Sequence, residues 1–296
     1  MSPSNKYHII EQIGGVKKRK FAQVYLCVNK ESGEYVILKS LEKSPSNVHI
    51  QDRLRTEASF NFHLTGLPQT LDLFETENEI LLFKSFHVGI SLSDYIGQFR
   101  GRERVAQLFE VLKQLEPILN HIHTQKIYHL DIKPSNIIID SSQKKLSVSL
   151  IDFGLSMNKT HYEARDVLFP LGYAAPELLL NHLELVDNRT DYFALGITCW
   201  KCIQERMPLI HENPSITTNL QLTHPLPDLD SRYKSLNGVL QKMAFKHSFL
   251  SPPNTMKKED VEKALNDALN LRYSNYHDFL CDFEENMHKV KRFLWF

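Results

Sequence analysis

His129-Leu130-Asp131-Ile132-Lys133-Pro134-Ser135-Asn136 brings a carboxylate, an ammonium and a carboxamide into one short span, and Asp152-Phe153-Gly154 adds a second carboxylate farther on. Between them run Ile137-Ile138-Ile139, a polar break from Asp140 to Lys145, and the alternating Leu146, Val148 and Leu150. Two strand-like runs around a polar break predict a β-hairpin. With its turn near Gln143, Asn136 and Asp152 come side by side at the open end, and Asp131 faces the same spot. A carboxamide oxygen and a carboxylate are hard ligands suited to Mg²⁺. Phosphoryl transfer asks for such ligands and for one carboxylate that accepts a hydroxyl proton. Any of these residues alone would be a polar group at a hairpin end; their joint spacing points to phosphoryl transfer.

The elements that must position these groups follow from periodicity. Residues 7–41 predict three antiparallel strands: Tyr7–Ile13 before Gly14-Gly15, Val24–Val28 after it, and Tyr35–Lys39 beyond the turn at Glu31–Glu34. Lys17-Lys18-Arg19-Lys20 reads as a solvated basic hairpin tip, the alternative being side-chain charge on a triphosphate. Gln51–Phe60 is helical. Leu71–Thr76 and Glu79–Phe83 form a further hairpin, after which helices take over. A short helix opens at Ser91–Ile96. A long one runs from Val105 to His123, with Val105, Leu108, Val111, Leu112, Leu115, Ile118, Leu119 and Ile122 as its core stripe and Pro117 inside it. Asp191 opens an apolar helix reaching Ile203, and Glu259–Leu265 begins another. From Tyr276 a stripe of Phe279, Leu280, Phe283, Met287, Val290 and Leu294 predicts a tail helix that docks on its own domain in preference to a partner.

Composition narrows the class. The chain has 296 residues, with 35 basic and 35 acidic side chains, so no global field favours nucleic acid or an acidic membrane. Its N-terminal residues lack an apolar signal segment and no run is long enough to span a bilayer, which predicts a cytoplasmic protein. Of four cysteines, Cys199 and Cys202 share the spacing of a redox or zinc pair, yet they lie in an apolar helical stretch without a second ligand pair and read as core thiols.

The order His129-x-Asp131-x-Lys133-x-x-Asn136, then Asp152-Phe153-Gly154, Ala175-Pro176-Glu177 and Asp191–Gly196 resembles the eukaryotic-type Ser/Thr protein kinases over residues 7–250. The resemblance implies a bilobal α/β (α+β) fold: a small antiparallel sheet lobe with one main helix, and a larger, mostly helical lobe, with MgATP in the cleft between them. It divides the chain into 1–86, 87–270 and a C-terminal helical tail, 271–296. Asp131 and Lys133 would be catalytic, and Asn136 and Asp152 would hold Mg²⁺. Lys39, paired with Glu57, would grip the phosphates under a loop containing Gly14 and Gly15. Val24, at the end of that loop, and Ile37, beneath the adenine, would belong to the nucleotide site, and the backbone of a hinge including Ser85 and His87 would hold the adenine. The partner implied is a protein substrate; self-association through the tail is a further option.

The sequence departs from the family pattern at identifiable places. Ala22 replaces a phosphate-loop glycine, Ile37 an alanine beneath adenine, and Phe169-Pro170 a Gly-Thr pair, while Lys84 stands near the gatekeeper position. Leu130 replaces the arginine that receives a phosphorylated activation segment. No arginine to pair with Glu177 is evident around Met243–Met256. Lys133 favours Ser/Thr over Tyr acceptors. Two rival readings follow, a pseudokinase that binds or scaffolds, and a small-molecule kinase, which usually lacks a lysine at the position of Lys133.

Overall fold

The computed structural model describes residues 3–13, 22–161, 169–249 and 251–290. Gly14, Gly15, the basic turn, the centre of the activation segment and the aromatic C-terminus lie outside them. The chain forms two compact units, one of residues 1–88 with 149–156 and one of 89–148 with 157–296. Sequence reasoning places the first division after residue 86 and leaves 149–156 with the helical portion. That segment joins the first unit through specific bonds: Leu150 N–H donates to Gly66 O at 2.8 Å, and the Ser149 hydroxyl meets His87 Nδ1 at 2.9 Å.

The first unit opens with a one-turn helix, α1 (Pro3–Lys6), followed by β1 (Tyr7–Ile13), β2 (Gln23–Asn29) and β3 (Tyr35–Glu42). Helix α2 (Val48–Ser59) precedes β4 (Thr70–Glu75) and β5 (Glu79–Ser85). The five strands form one antiparallel sheet in the order β1-β2-β3-β5-β4. Alternation sends successive side chains of β3 to opposite faces. Val36 and Leu38 join Tyr7, Cys27 and Phe83 in one core cluster. Leu41 joins Leu82, Ile80 and the α2 residues Ile50 and Leu54 in another. Lys39 shares the parity of Leu41, so the same two-residue rhythm that buries α2 aims the lysine at the helix.

The second unit begins with β6 (Ile90–Ser91), α3 (Leu92–Ile96), α4 (Gly101–Thr124) and β7 (Ile127–Tyr128). Then come β8 (Ile137–Asp140), β9 (Ser147–Leu150, of which only the first two residues belong to this unit), β10 (Met157–Asn158), α5 (Pro176–Leu179) and α6 (Asn188–Gln204). The chain continues through α7 (Pro214–Thr223), α8 (Asn237–Met243), α9 (Lys258–Leu271) and α10 (Tyr276–Met287). A small sheet has the order β6-β8-β9, and β10 pairs with β7. Gly89, at φ +136°, lets β6 reach β8, because a Cβ there would sit 2.3 Å from Ile139 O. The predicted apolar stripe of α4 is buried along its length. Helix α10 packs on it: the Phe283 and Phe109 rings stack at 5.8 Å, and Tyr276 Oη donates to Leu112 O. Helix α6 starts earlier than Asp191, because the Asp187 carboxylate caps it by accepting from Arg189 N–H at 2.8 Å. Cys199 and Cys202 are buried free thiols, as their apolar surroundings predict. Among the described residues no helix is long and apolar enough to cross a membrane.

A partner for Glu177 exists, and it is Arg272, just past α9 and outside the stretch where the family resemblance directs the search. Both side chains have 0% exposure, and Arg272 Nη1 and Nη2 donate to the two carboxylate oxygens at 2.6 and 3.0 Å. The remaining groups are satisfied too: Thr190 Oγ1 donates to Glu177 Oε1, Arg272 Nε donates to Phe245 O, and the guanidinium lies 4.8 Å from the Phe193 ring centre. Removing one partner of such a pair strands a buried charge, a loss of about 3–5 kcal/mol. Arg272→Ala is therefore expected to lower unfolding stability by about that amount in urea titration at neutral pH. A change below about 1 kcal/mol would show that Glu177 is held by something else.

Candidate active site

Each unit contributes its own cluster. In the first, Lys39 Nζ lies 2.8 and 2.6 Å from Glu57 Oε1 and Oε2, and 3.1 Å from Asp152 Oδ1. The candidate pair is thus formed, with Asp152 as a further partner for the ammonium. Burial works against a charged Lys39, but the Asp152 and Glu57 carboxylates outweigh it and hold the pKa above the usual lysine value. Glu57 is pushed up by burial, with Lys39 opposing the shift. Asp152 has φ +71°, a left-handed conformation that a non-glycine residue adopts only where surroundings enforce it. Next to it, Phe153 is fully buried against Phe62 and Phe60, with ring centres 4.7 and 5.9 Å away. A Cβ on Gly154 would lie 3.4 Å from Arg53 O of α2, an ordinary van der Waals contact.

The remaining candidates of the first unit separate by strand register. Val24 stands opposite Lys39, and Ile37 opposite Lys84, which places Val24, Ile37 and Lys39 on one face of the sheet. Ser85 ends β5; its N–H donates to Gln69 O and its hydroxyl accepts from Gln69 N–H. The His87 imidazole bonds the Ser149 hydroxyl and is held neutral-leaning, first by burial and then by the Lys84 charge.

In the second unit, Asp131, Lys133 and Asn136 converge. Lys133 Nζ donates to both Asp131 oxygens at 2.9 and 2.7 Å. Asn136 Nδ2 donates to Asp131 O at 2.9 Å and to Oδ2 at 3.0 Å. Two acceptors on that side fix the orientation of the carboxamide: its NH₂ faces Asp131, and Oδ1 points the other way. Asn136 Oδ1 in the second unit and the partly exposed Asp152 carboxylate in the first are each, taken alone, hard oxygen donors of the kind Mg²⁺ favours.

The loop's geometry is set by Asp191, a carboxylate with no exposure at the start of α6. Its Oδ2 accepts from His129 N–H and from His123 Nε2, and its Oδ1 from Leu130 N–H, all at 2.8 Å. Burial raises the Asp191 pKa, but the His123 hydrogen bond and nearby charge bring it below the usual value overall. Leu130 has φ +60°, and the two captured amides hold it there. The leucine side chain is itself buried. Three contributors escape sequence reasoning: Arg272, His123 and Lys84. A charged residue between inward-facing Leu82 and Phe83 and the strand end was the one readable signal, for Lys84.

Against known proteins, the protein kinase domain family matches residues 7–276, and the chain belongs to that family. It is 24% identical over 238 residues to serine/threonine-protein kinase 17A of Oryctolagus cuniculus, covering 77% of this chain and 59% of that protein. It is 28% identical over 219 residues to smooth-muscle myosin light chain kinase of Gallus gallus, covering 72% of this chain and 11% of the other. With human serine/threonine-protein kinase ULK3 the identity is 30% over 234 residues, 75% of this chain and 48% of the relative.

Asp191→Ala leaves two buried amides without an acceptor, which is expected to cost about 2–6 kcal/mol. Urea unfolding measures the loss, and the amide resonances of His129 and Leu130 should shift with it. Because the folded pKa is depressed, this contribution is present above about pH 4 and disappears as pH falls through the folded value. An Asp191→Ala protein as stable as the parent at neutral pH would show that the loop holds itself.

Proposed function

We propose that this chain is an ATP-dependent protein kinase that transfers the γ-phosphoryl group to a protein hydroxyl, Ser or Thr by preference. The observation that carries the reading is the Lys39 ammonium gripped by Glu57 with Asp152 beside it. A protein that had abandoned nucleotide would have no use for an ammonium desolvated this way, since burying an ion pair seldom stabilises a fold. Lys39 would bind the α- and β-phosphates, with Glu57 keeping it aimed. Asp131 would orient the acceptor hydroxyl and take its proton. Lys133, already on both Asp131 oxygens, would neutralise charge on the moving phosphoryl. Asn136 Oδ1 and Asp152 would hold Mg²⁺, which when bound neutralises phosphate charge and orients the γ-phosphoryl. Val24 and Ile37 would contact the base. The Ser/Thr preference is supported by Lys133 and by the relatives, several of which are named serine/threonine-protein kinases.

A silent nucleotide-binding or scaffolding module is the second reading, favoured by the bulk of Ile37 on the nucleotide side of the sheet and by Pro170 in the activation segment. Label transfer from radioactive ATP to generic protein acceptors separates the two. Transfer is expected, and Asp131→Ala should reduce it by roughly 10²–10⁴-fold with little effect on nucleotide affinity. No transfer above the Asp131→Ala background would leave only the second reading.

Regulation follows from Leu130. An aliphatic, buried side chain cannot receive a phosphate as a guanidinium does. Phosphatase-treated protein should therefore keep its turnover within about twofold. Loss of most activity on treatment, restored by rephosphorylation, would contradict this.

A further inference from the structure

Strand β5 carries a lysine where its neighbours Leu82 and Phe83 are core residues. Lys84 is 3% exposed, and its ammonium has three acceptors: Glu57 O and Phe60 O at 3.2 Å and Thr70 Oγ1 at 3.0 Å. The first two belong to the C-terminal turn of α2, where helical carbonyls lack partners within the helix and the helix dipole is negative. Helix α2 ends without a glycine and without a basic residue in its last turn; Phe60 follows in an extended conformation. Lys84 caps this end from the neighbouring sheet together with Thr70, whose hydroxyl lies 3.1 and 3.0 Å from Ala58 O and Phe60 O, and Lys84 alone reaches Glu57 O.

Glu57 is thereby held at both ends. Its carboxylate meets Lys39 of β3, and its carbonyl meets Lys84 of β5. Moving α2 away from the sheet would break both bonds together. We infer that Lys84 is a positioning residue: it fixes the C-terminal turn of α2 to the sheet so that Glu57 keeps Lys39 aimed at phosphate. The inference rests on the nucleotide-binding reading for its consequence, though not for the tether itself. The charged groups facing Lys84 are Glu57 from α2, Lys39 from β3, Asp152 from the segment 149–156, and His87 beyond β5. Burial lowers the Lys84 pKa to about 8 despite the Glu57 charge. Lowered from the unfolded value, it makes the protonated form a cost to global stability, lost as pH rises past 8.

Hydrogen exchange on the full chain tests the tether, comparing the parent with Lys84→Met and Lys84→Arg. Lys84→Met is expected to speed exchange in the last two turns of α2 by about tenfold or more at neutral pH, with no drop in thermal midpoint. Lys84→Arg should stay within about threefold of the parent. MgATP affinity measured by calorimetry should weaken in Lys84→Met and recover in Lys84→Arg. Unchanged α2 exchange in Lys84→Met, or acceleration spread evenly over the whole first unit, would overturn the inference. Should that variant not fold, Lys84→Gln, neutral and too short to span both carbonyls, is measured in its place, and unchanged α2 exchange there would overturn the inference. A parent that binds no MgATP would remove the nucleotide reading while the exchange comparison still judged the tether.

Discussion

An ammonium taken out of water must be surrounded by acceptors, and Lys39 meets that requirement with carboxylates from two directions. Glu57 comes from a helix and Asp152 from a segment far along the chain, so one lysine fixes the relation of three stretches of sequence. The bonds are short and the groups largely withdrawn from solvent, which gives them weight that a surface pair lacks. Much of the first unit is arranged to satisfy this constraint. The parity of β3 points the lysine toward α2, the Leu41–Leu82–Leu54 cluster seats the helix, and Phe153 packs on Phe60 and Phe62 to bring Asp152 into place.

The second unit solves a different problem, holding a strained backbone in position. Leu130 occupies a region of conformational space that costs about 1 kcal/mol or more for a side chain of its kind. One buried carboxylate pays that cost through two amide hydrogen bonds, and His123 in turn keeps the carboxylate ionised. The candidate groups Asp131, Lys133 and Asn136 therefore hang from a segment whose shape is imposed by the Asp191 carboxylate of α6. Their mutual hydrogen bonds complete the arrangement but do not create it.

Most elements were legible because their periodicity is strong: the alternation of β3 and the stripe of α4 appear where the residues predict them. Candidate polar groups were legible where residue types cluster in sequence, as at 129–136 and 152–154. It was not legible where a partner comes from afar. Arg272 lies beyond an amphipathic helix and has no local pattern to mark it, and a search near residue 250 could not find it. His123 looked like one polar residue at the end of a stripe. Lys84 was visible as an oddity, but only the register of β5 against β3 and β4 reveals that its ammonium reaches the end of α2. Helix α6 starts at Asn188 and not at Asp191 because the Asp187 carboxylate, outside the apolar run, performs the capping.

The link between Glu177 and Arg272 also defines what counts as one folding module. A carboxylate with no access to water cannot be left without its counter-charge, so α9 and the turn after it are as much part of the helical unit as the segment 129–136 is. Excising the chain anywhere before Arg272 would turn a neutral interior into a charged one. Nor could the lost guanidinium be replaced by a nearby lysine, whose single ammonium cannot reproduce the two parallel bonds. The frontier of the module is thus drawn by electroneutrality in its interior, and it lies well downstream of the last residue that touches chemistry.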